Sequence, residues 1–447
     1  MRVPDTPPPW TELFREADPD LVRRGVADTR LVAVDSQGRY LHWDDLKHRP
    51  PLHGYSLGEA WLLTKLARRA ASRQLPLRSV SGQPAMFVLT DQIISMLMDV
   101  DRRCGGNIST PVTLTGEDRD RVLVNSLHEE SITSSQLEGA NTTRKAAKQM
   151  LRESRKPRTY GELMIVNNFL AMEHIRQHPS TPLTVAEICE IHRLISNGTL
   201  DDPADEGRPQ GPEDDRVGVY WQTNGIDEKI HQPPPASEIP NRLKELCVFA
   251  NDLGSERGFV HPVLRALAVH FWIGYDHPFV DGNGRLARTL FYRSILGSGY
   301  WLAEFLSVSS ILRKRPAKYV RSYLLCETDE LDLTYFFTDQ LQVIVRALDS
   351  LDAYLVRKRK QLETVSLLLH GRLDLNHRQL TLLGHALRHP GGEYTIRAHQ
   401  ASHKVVYESA RQDLLGLSNL GLLDRFKLGR EFIFHSPYDL DRRLNAV

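Results

Sequence analysis

Cysteine is scarce: the four in this 447-residue chain, Cys104, Cys189, Cys247 and Cys326, lie far apart and form no Cys-x-x-Cys pair. A disulfide framework and a thiolate zinc site are therefore not expected, and a reducing cytoplasm is the simplest setting. No run of about 18 apolar residues occurs, so no membrane-spanning helix is expected. The N-terminal Met-Arg-Val-Pro-Asp-Thr-Pro-Pro-Pro lacks the apolar core of a signal peptide. Charge of one sign is also missing. The formal net charge is +1, which gives no global attraction to nucleic acid or a membrane surface. What remains is ordinary for a soluble globular chain, 41% hydrophobic and 25% charged, long enough for two or three domains.

One stretch organises the rest: His277-Pro278-Phe279-Val280-Asp281-Gly282-Asn283-Gly284-Arg285-Leu286-Ala287-Arg288. Upstream, Leu264, Leu267, Ala268, Phe271 and Tyr275 recur at helical spacing. Downstream, Leu286, Leu290 and Ile295 mark a second helix. The stretch is then a loop feeding a helix N-terminus. Gly282 and Gly284 allow a tight turn and close approach of a ligand. The first N–H groups of a helix lack internal partners and suit phosphate oxygens. Arg285 and Arg288, three residues apart, can add charge-assisted bonds. Asp281 is a hard oxygen ligand suited to Mg²⁺ on phosphates, and His277 can take a proton from a hydroxyl near neutral pH. Together these groups point to phosphoryl or nucleotidyl transfer.

The same residues resemble the Fic-family motif His-x-Phe-x-(Asp/Glu)-Gly-Asn-Gly-Arg-x-x-Arg at every defining position. The resemblance implies a mainly α fold, a Fic-type helical core with a β-hairpin flap, that transfers AMP from ATP to a Ser, Thr or Tyr hydroxyl of a target protein and of itself. It implies that His277 is the general base and that Asp281 holds Mg²⁺. Gly282, Asn283 and Gly284 would form the anion hole, Arg285 and Arg288 would bind the β- and γ-phosphates, and Phe279 would anchor the loop. Tyr319 lies where the family often has an aromatic near the nucleotide.

A second motif precedes the first. Leu123, Val124 and Leu127 share a helical face, and Gly139 is a helix stop that leaves Glu138 in the last turn. A carboxylate there is disfavoured by the helix dipole and seeks a cation. Ser134-x-x-x-Glu138-Gly139 resembles the family's inhibitory motif, which implies that Glu138 pairs with Arg288 and denies the ATP γ-phosphate its seat. The self-inhibited class with an N-terminal inhibitory helix, about 121–139, is the one it resembles. The resemblance leaves open AMP removal as a second activity.

In chain order, residues 1–120 form an N-terminal region. Leu31 to Leu41 reads as a short hairpin around Ser36-Gln37-Gly38, Ser56 to Arg73 as a helix with a Ser56/Glu59 capping box, and Thr90 to Val100 as another helix. The core, 121–365, continues with helices over Arg144 to Glu153, Gly161 to Gln177 and Thr184 to Ser196, the last with a Thr184/Glu187 capping box. A polar loop, Asp201 to Val217, leads to a hairpin at 218–231 turning at Asn224-Gly225. By resemblance that hairpin is the flap on which a target segment pairs. Helices over Pro240 to Asn251, Ile311 to Cys326 and Thr338 to about Leu369 complete the core, with the basic run Arg357 to Lys360 on a solvated face.

Residues 371–447 read as a separate winged-helix domain: three helices (Asn376 to Arg388, Thr395 to His403, Val405 to Leu417), then a wing over Leu422 to Phe434. Ser409, Arg411 and Gln412 fall on the exposed face of the third helix. With 11 Lys/Arg against 8 Asp/Glu from 371 onward, DNA, protein docking and homo-oligomer formation all stay open. A DNA-binding regulator with an ATP-sensing core is the alternative to the enzyme.

Overall fold

The computed structural model describes residues 2–28, 32–51, 54–105, 116–179, 181–223, 226–252, 258–369, 375–403, 405–428 and 431–446. They fall into two compact units, Met1–Leu351 and Asp352–Val447, each mainly helical with small antiparallel sheets. Among the described residues no helix is long and apolar enough to cross a membrane.

The first unit is built around the helix Pro262–Asp276, on which nearly every side chain is buried. A helix apolar on all faces must sit at the centre of its fold. It packs against Asn283–Gly297, which buries Leu286, Leu290 and Ile295 as their spacing predicts. Gly116–Leu137 and Tyr160–Gln177 pack side by side, and both contact Asn283–Gly297. Pro262 at the first position and a His261 cap on the Val263 N–H start the central helix cleanly.

Most expected helices are present within a few residues of their bounds, and the Ser56/Glu59 capping box forms reciprocally. Other readings need correction. At Thr184 only half of the box forms: the hydroxyl accepts from the Glu187 N–H, but the Glu187 carboxylate turns away to a bidentate pair with Arg293 at 2.6 and 2.7 Å. A charged partner outcompetes a neutral backbone N–H. The hairpin expected at Leu31 to Leu41 is a turn without strands. Leu31 lies outside the described residues, and the Asp35 side chain bonds the N–H groups of Gln37 and Arg39. A true hairpin lies further on, Ser72–Arg78 against Pro84–Val88, with Ser72 opposite Val88. It truncates the preceding helix at Ala71.

A buried ion network ties this N-terminal part to the core. Lys65 Nζ donates to Asp329 at 2.7 Å, Arg68 donates to Tyr335 Oη at 2.8 Å, and the Tyr40 hydroxyl donates to Asp332 at 2.5 Å. Each charge is paired, which buried charges require. These bonds fix Tyr40, Lys65 and Arg68 against the segment from Asp329 to Tyr335.

The 218–231 hairpin is present as Val219–Thr223 paired with Ile226–His231, Trp221 opposite Glu228. Its expected turn, Asn224-Gly225, lies outside the described residues.

In the second unit, His377–Arg388, Ile396–His403 and Tyr407–Asn419 surround a core of Leu383, Leu414, Leu417 and Phe434. Strands Glu393–Thr395 and Asp424–Leu428 flank Glu431–His435 in one antiparallel sheet. Asp413 is buried and accepts from Asn376, Arg378 and His399. Of the residues placed on the third helix's exposed face, Arg411 and Gln412 both donate to Glu408 one turn back, and Ser409 is half-buried.

Candidate active site

The loop between the two central helices begins with a conformational commitment. His277 caps the first helix at φ 46°, in the left-handed region that a non-glycine residue rarely adopts. Its Nδ1 faces the Gly274 carbonyl at 3.4 Å. That oxygen can only accept, so the proton belongs on Nδ1 and the lone pair on Nε2. Burial, and next the charge of His231, push the His277 imidazole down to about 4, so it is neutral at physiological pH, a weaker base than an ordinary histidine but with its lone pair unprotonated.

His231, at the end of the hairpin, bonds the Glu327 carboxylate at 2.6 Å and the Tyr275 carbonyl at 2.7 Å. Both partners are acceptors, so both ring nitrogens carry protons. Burial opposes this charge, but Glu327 outweighs it and raises the His231 pKa.

Phe279 is fully buried and stacks on His192, with ring centroids 3.7 Å apart. His192 Nε2 donates to the Asp281 carbonyl at 2.8 Å, while Nδ1 accepts from the Gly207 N–H at 3.0 Å. Asn283 braces the loop from inside: its Oδ1 accepts from the Phe279 N–H at 3.0 Å and its Nδ2 donates to the Phe279 carbonyl at 2.8 Å. The carboxamide is therefore occupied. What position 283 offers an anion is its backbone N–H at the helix start. Gly282 reaches φ 82° there, which only glycine adopts at low cost.

Behind that helix start sit two buried arginines. Arg285 has a fully buried side chain, and only Nη1 is bonded, to the Ile195 carbonyl at 3.0 Å. Its Nε and Nη2, and Nη1 of Arg288, are buried with no hydrogen-bond partner among the described residues. Asp281 Oδ2 lies 3.8 Å from Arg285 Nη2, a charge neighbour but not a hydrogen bond. Unmade bonds to buried cations are costly, so these donors suit an anion.

A carboxylate already occupies that ground. Arg288 Nη2 donates to Glu138 Oε1 at 2.8 Å and to the Ser134 carbonyl at 3.0 Å, and its Nε donates to Ser134 Oγ at 2.9 Å. Glu138 Oε1 lies so close to Gly284 that an added Cβ would come within 2.3 Å of it. Glu138 thus rests on the helix N-terminus, a position that favours an anion. The helix holding it is itself anchored by buried Glu130, which accepts from the Ser309 N–H and the Ser307 hydroxyl, both at 3.0 Å. The Tyr319 hydroxyl bonds His270 at 2.7 Å and lies close to the Arg288 guanidinium.

This geometry makes a sign-changing prediction for Gly284→Ala. In the wild type the methyl expels Glu138 and breaks a charge-assisted bond, a loss of roughly 1.5–3 kcal/mol, set against roughly 0.5–1 gained from helix propensity. The variant is therefore less stable than wild type. In a Glu138→Gly background the same substitution is stabilising. Denaturant titrations of the four proteins check it, and equal effects in both backgrounds contradict the contact.

The loop and Glu138 were legible in the sequence. His192, Arg216 and His231 were not. His192 sits among Ile188, Ile191 and Ile195 on a buried helix face, which was its only signal.

Part of the chain is similar to known proteins. Residues 182–294 match the Fic/DOC family profile. A 186-residue stretch is 28% identical to the protein adenylyltransferase Fic of Drosophila grimshawi, covering 38% of this chain and 35% of that protein. A 123-residue stretch is 28% identical to the protein of the same name from Nematostella vectensis, covering 27% of this chain and 25% of that protein. The match thus spans between a quarter and about a third of the length of these relatives. In fold, the chain resembles a Fic family protein from Desulfovibrio desulfuricans G20, with a TM-score of 0.51 at 17% identity over 78% of this chain and 97% of that one. Residues 182–294 thus resemble the Fic/DOC family, and the loop 277–288 lies inside the matched stretch.

Proposed function

We propose that the chain is a protein adenylyltransferase restrained by its own Glu138. The observation that carries this reading is the pair of buried arginines with unmade bonds at a helix N-terminus, beside a neutral imidazole. His277 Nε2 takes the proton of a Ser, Thr or Tyr hydroxyl on a target or on the chain itself. The oxygen attacks the α-phosphorus of ATP in line, the bond to the bridging oxygen breaks, and pyrophosphate leaves. Arg285, Arg288 and the N–H groups of Asn283 and Gly284 hold the β- and γ-phosphates, while the Gly282 N–H donates to Asp281 Oδ1 at 2.6 Å and orients that carboxylate. Ser134 and Glu138 engage Arg288 in the restrained state, and Tyr319 lines the nucleotide side of Arg288.

Asp281 fits Mg²⁺. Its side chain is 56% exposed at the loop's edge, and this ion needs one or two carboxylates with phosphate oxygens and water for the rest. When bound, Mg²⁺ supplies charge neutralisation on the departing pyrophosphate. The exposed edges of the Val219–Thr223 and Ile226–His231 hairpin suit main-chain pairing with an extended target segment. For residues 371–447 we propose a winged helix, supported by three helices followed by a three-stranded antiparallel sheet.

The experiment is label position. With ATP labelled at the α-phosphate, protein becomes labelled; with γ-label it does not. Transfer of the γ-label instead would mark a kinase and end this reading.

A further inference from the structure

The polar stretch that precedes the flap has no part in the motif, yet it holds the motif loop by its backbone. The last four carbonyls of a helix have no partners within it. At the end of Pro262–Asp276 and in the loop beyond, those oxygens are taken one by one. The Tyr275 carbonyl accepts from His231 at 2.7 Å. The Asp276 and His277 carbonyls both accept from Arg216, the second at 2.9 Å. The Pro278 carbonyl accepts from the Gln210 N–H at 2.8 Å.

Arg216 does more than cap. Its Nε donates to the Pro234 carbonyl at 2.8 Å and its Nη1 also donates to Gln210 Oε1 at 2.5 Å. One planar guanidinium thus spans the 210–216 turn, the exit of the flap and the two peptide groups that bracket His277. Its four acceptors are all neutral, and among the described residues it forms no salt bridge. That is unusual for a half-buried arginine, and it is suited to fixing backbone geometry. Positive charge at a helix C-terminus is also favoured by the dipole.

We propose that Arg216 is a positioning residue that holds His277 in its left-handed conformation and so aims the imidazole. This inference rests on the reading of His277 as the base. A lysine cannot replace it, because one ammonium point cannot reproduce the fork across two successive carbonyls. Misplacing a reacting group by about 1 Å costs about 100-fold in rate.

The test uses the full chain carrying Glu138→Gly, compared with the same chain carrying Arg216→Ala or Arg216→Lys. Two quantities are read: AMP transfer kinetics and hydrogen exchange of the amides of residues 279–283. The expected result for Arg216→Ala is kcat lower by about 100-fold with KM for ATP changed less than twofold. Arg216→Lys remains at least tenfold down, methylguanidinium restores part of the Arg216→Ala rate, and loop amides exchange faster while the rest of the unit keeps its protection. Unchanged loop exchange in Arg216→Ala overturns the proposal whatever the activity. So does an unchanged kcat, or a loss that appears in KM alone. Faster loop exchange in a parent chain that transfers no AMP leaves Arg216 as the brace and removes the transferase reading instead. Should Arg216→Ala fail to fold, the Arg216→Lys chain carries the same two readouts.

Discussion

Glu138→Gly is expected to raise AMP transfer from ATP by about 10- to 100-fold over the wild type. The carboxylate of Glu138 lies 2.8 Å from Arg288 Nη2 and against Gly284, so it covers both the cation and the helix start. On the proposed function, ATP would have to displace it before its phosphates reached those donors. A hydrogen bond to a charged group is worth about 1.5–3 kcal/mol, and that is the competition removed. Converted at 1.4 kcal/mol per tenfold, it gives the stated range. The substitution removes the carboxylate partner of Arg288 but leaves its two bonds to Ser134. The variant should therefore fold, and calorimetric titration with Mg²⁺-ATP should show the tighter affinity directly. Equal affinities for the two proteins would mean that Glu138 restrains nothing.

His277→Ala in the released chain is expected to lose about 100- to 10,000-fold in transfer, the range for removing a positioned general base. Nucleotide affinity should hold, because the phosphate donors lie elsewhere in the loop. The pH dependence carries a separate signature. Burial and the neighbouring His231 charge bring His277 to about 4. The free-enzyme profile of kcat/KM should then stay flat from neutral pH to about 5 and fall only as pH nears 4. A profile that falls through 6.5, the ordinary histidine value, would place His277 in water rather than in the buried setting described.

How far the sequence reached depends on how local each feature is. His277, Asp281, Gly282, Arg285 and Arg288 are contiguous, and their residue types announce the chemistry. The pairing of Glu138 with Arg288 spans 150 positions and was legible only through a second motif. Arg216 gave no signal, since a loop arginine that bonds backbone carbonyls has neither periodicity nor a charged partner to suggest it. His231 was hidden in the same way, at the end of a strand. Asn283 was expected in the anion hole together with the adjacent backbone; in the structure its carboxamide closes a bracket on the Phe279 backbone, which no sequence pattern announces. At the Ser72–Arg78 strand the helical reading ran two residues too far, because the turn that ends it depends on pairing with Pro84–Val88. The Leu31 to Leu41 segment failed the other way: it has the turn but no partner for a ladder, and Asp35 satisfies the nearby N–H groups instead.

The most direct measurement is incorporation of α-labelled AMP into protein by three full-length chains side by side: wild type, Glu138→Gly, and Glu138→Gly with His277→Ala. Weak labelling of the first, strong labelling of the second and none of the third are the predicted results. Labelling that is equal in wild type and Glu138→Gly, or that survives His277→Ala, would contradict a transferase with His277 as base and Glu138 as its restraint.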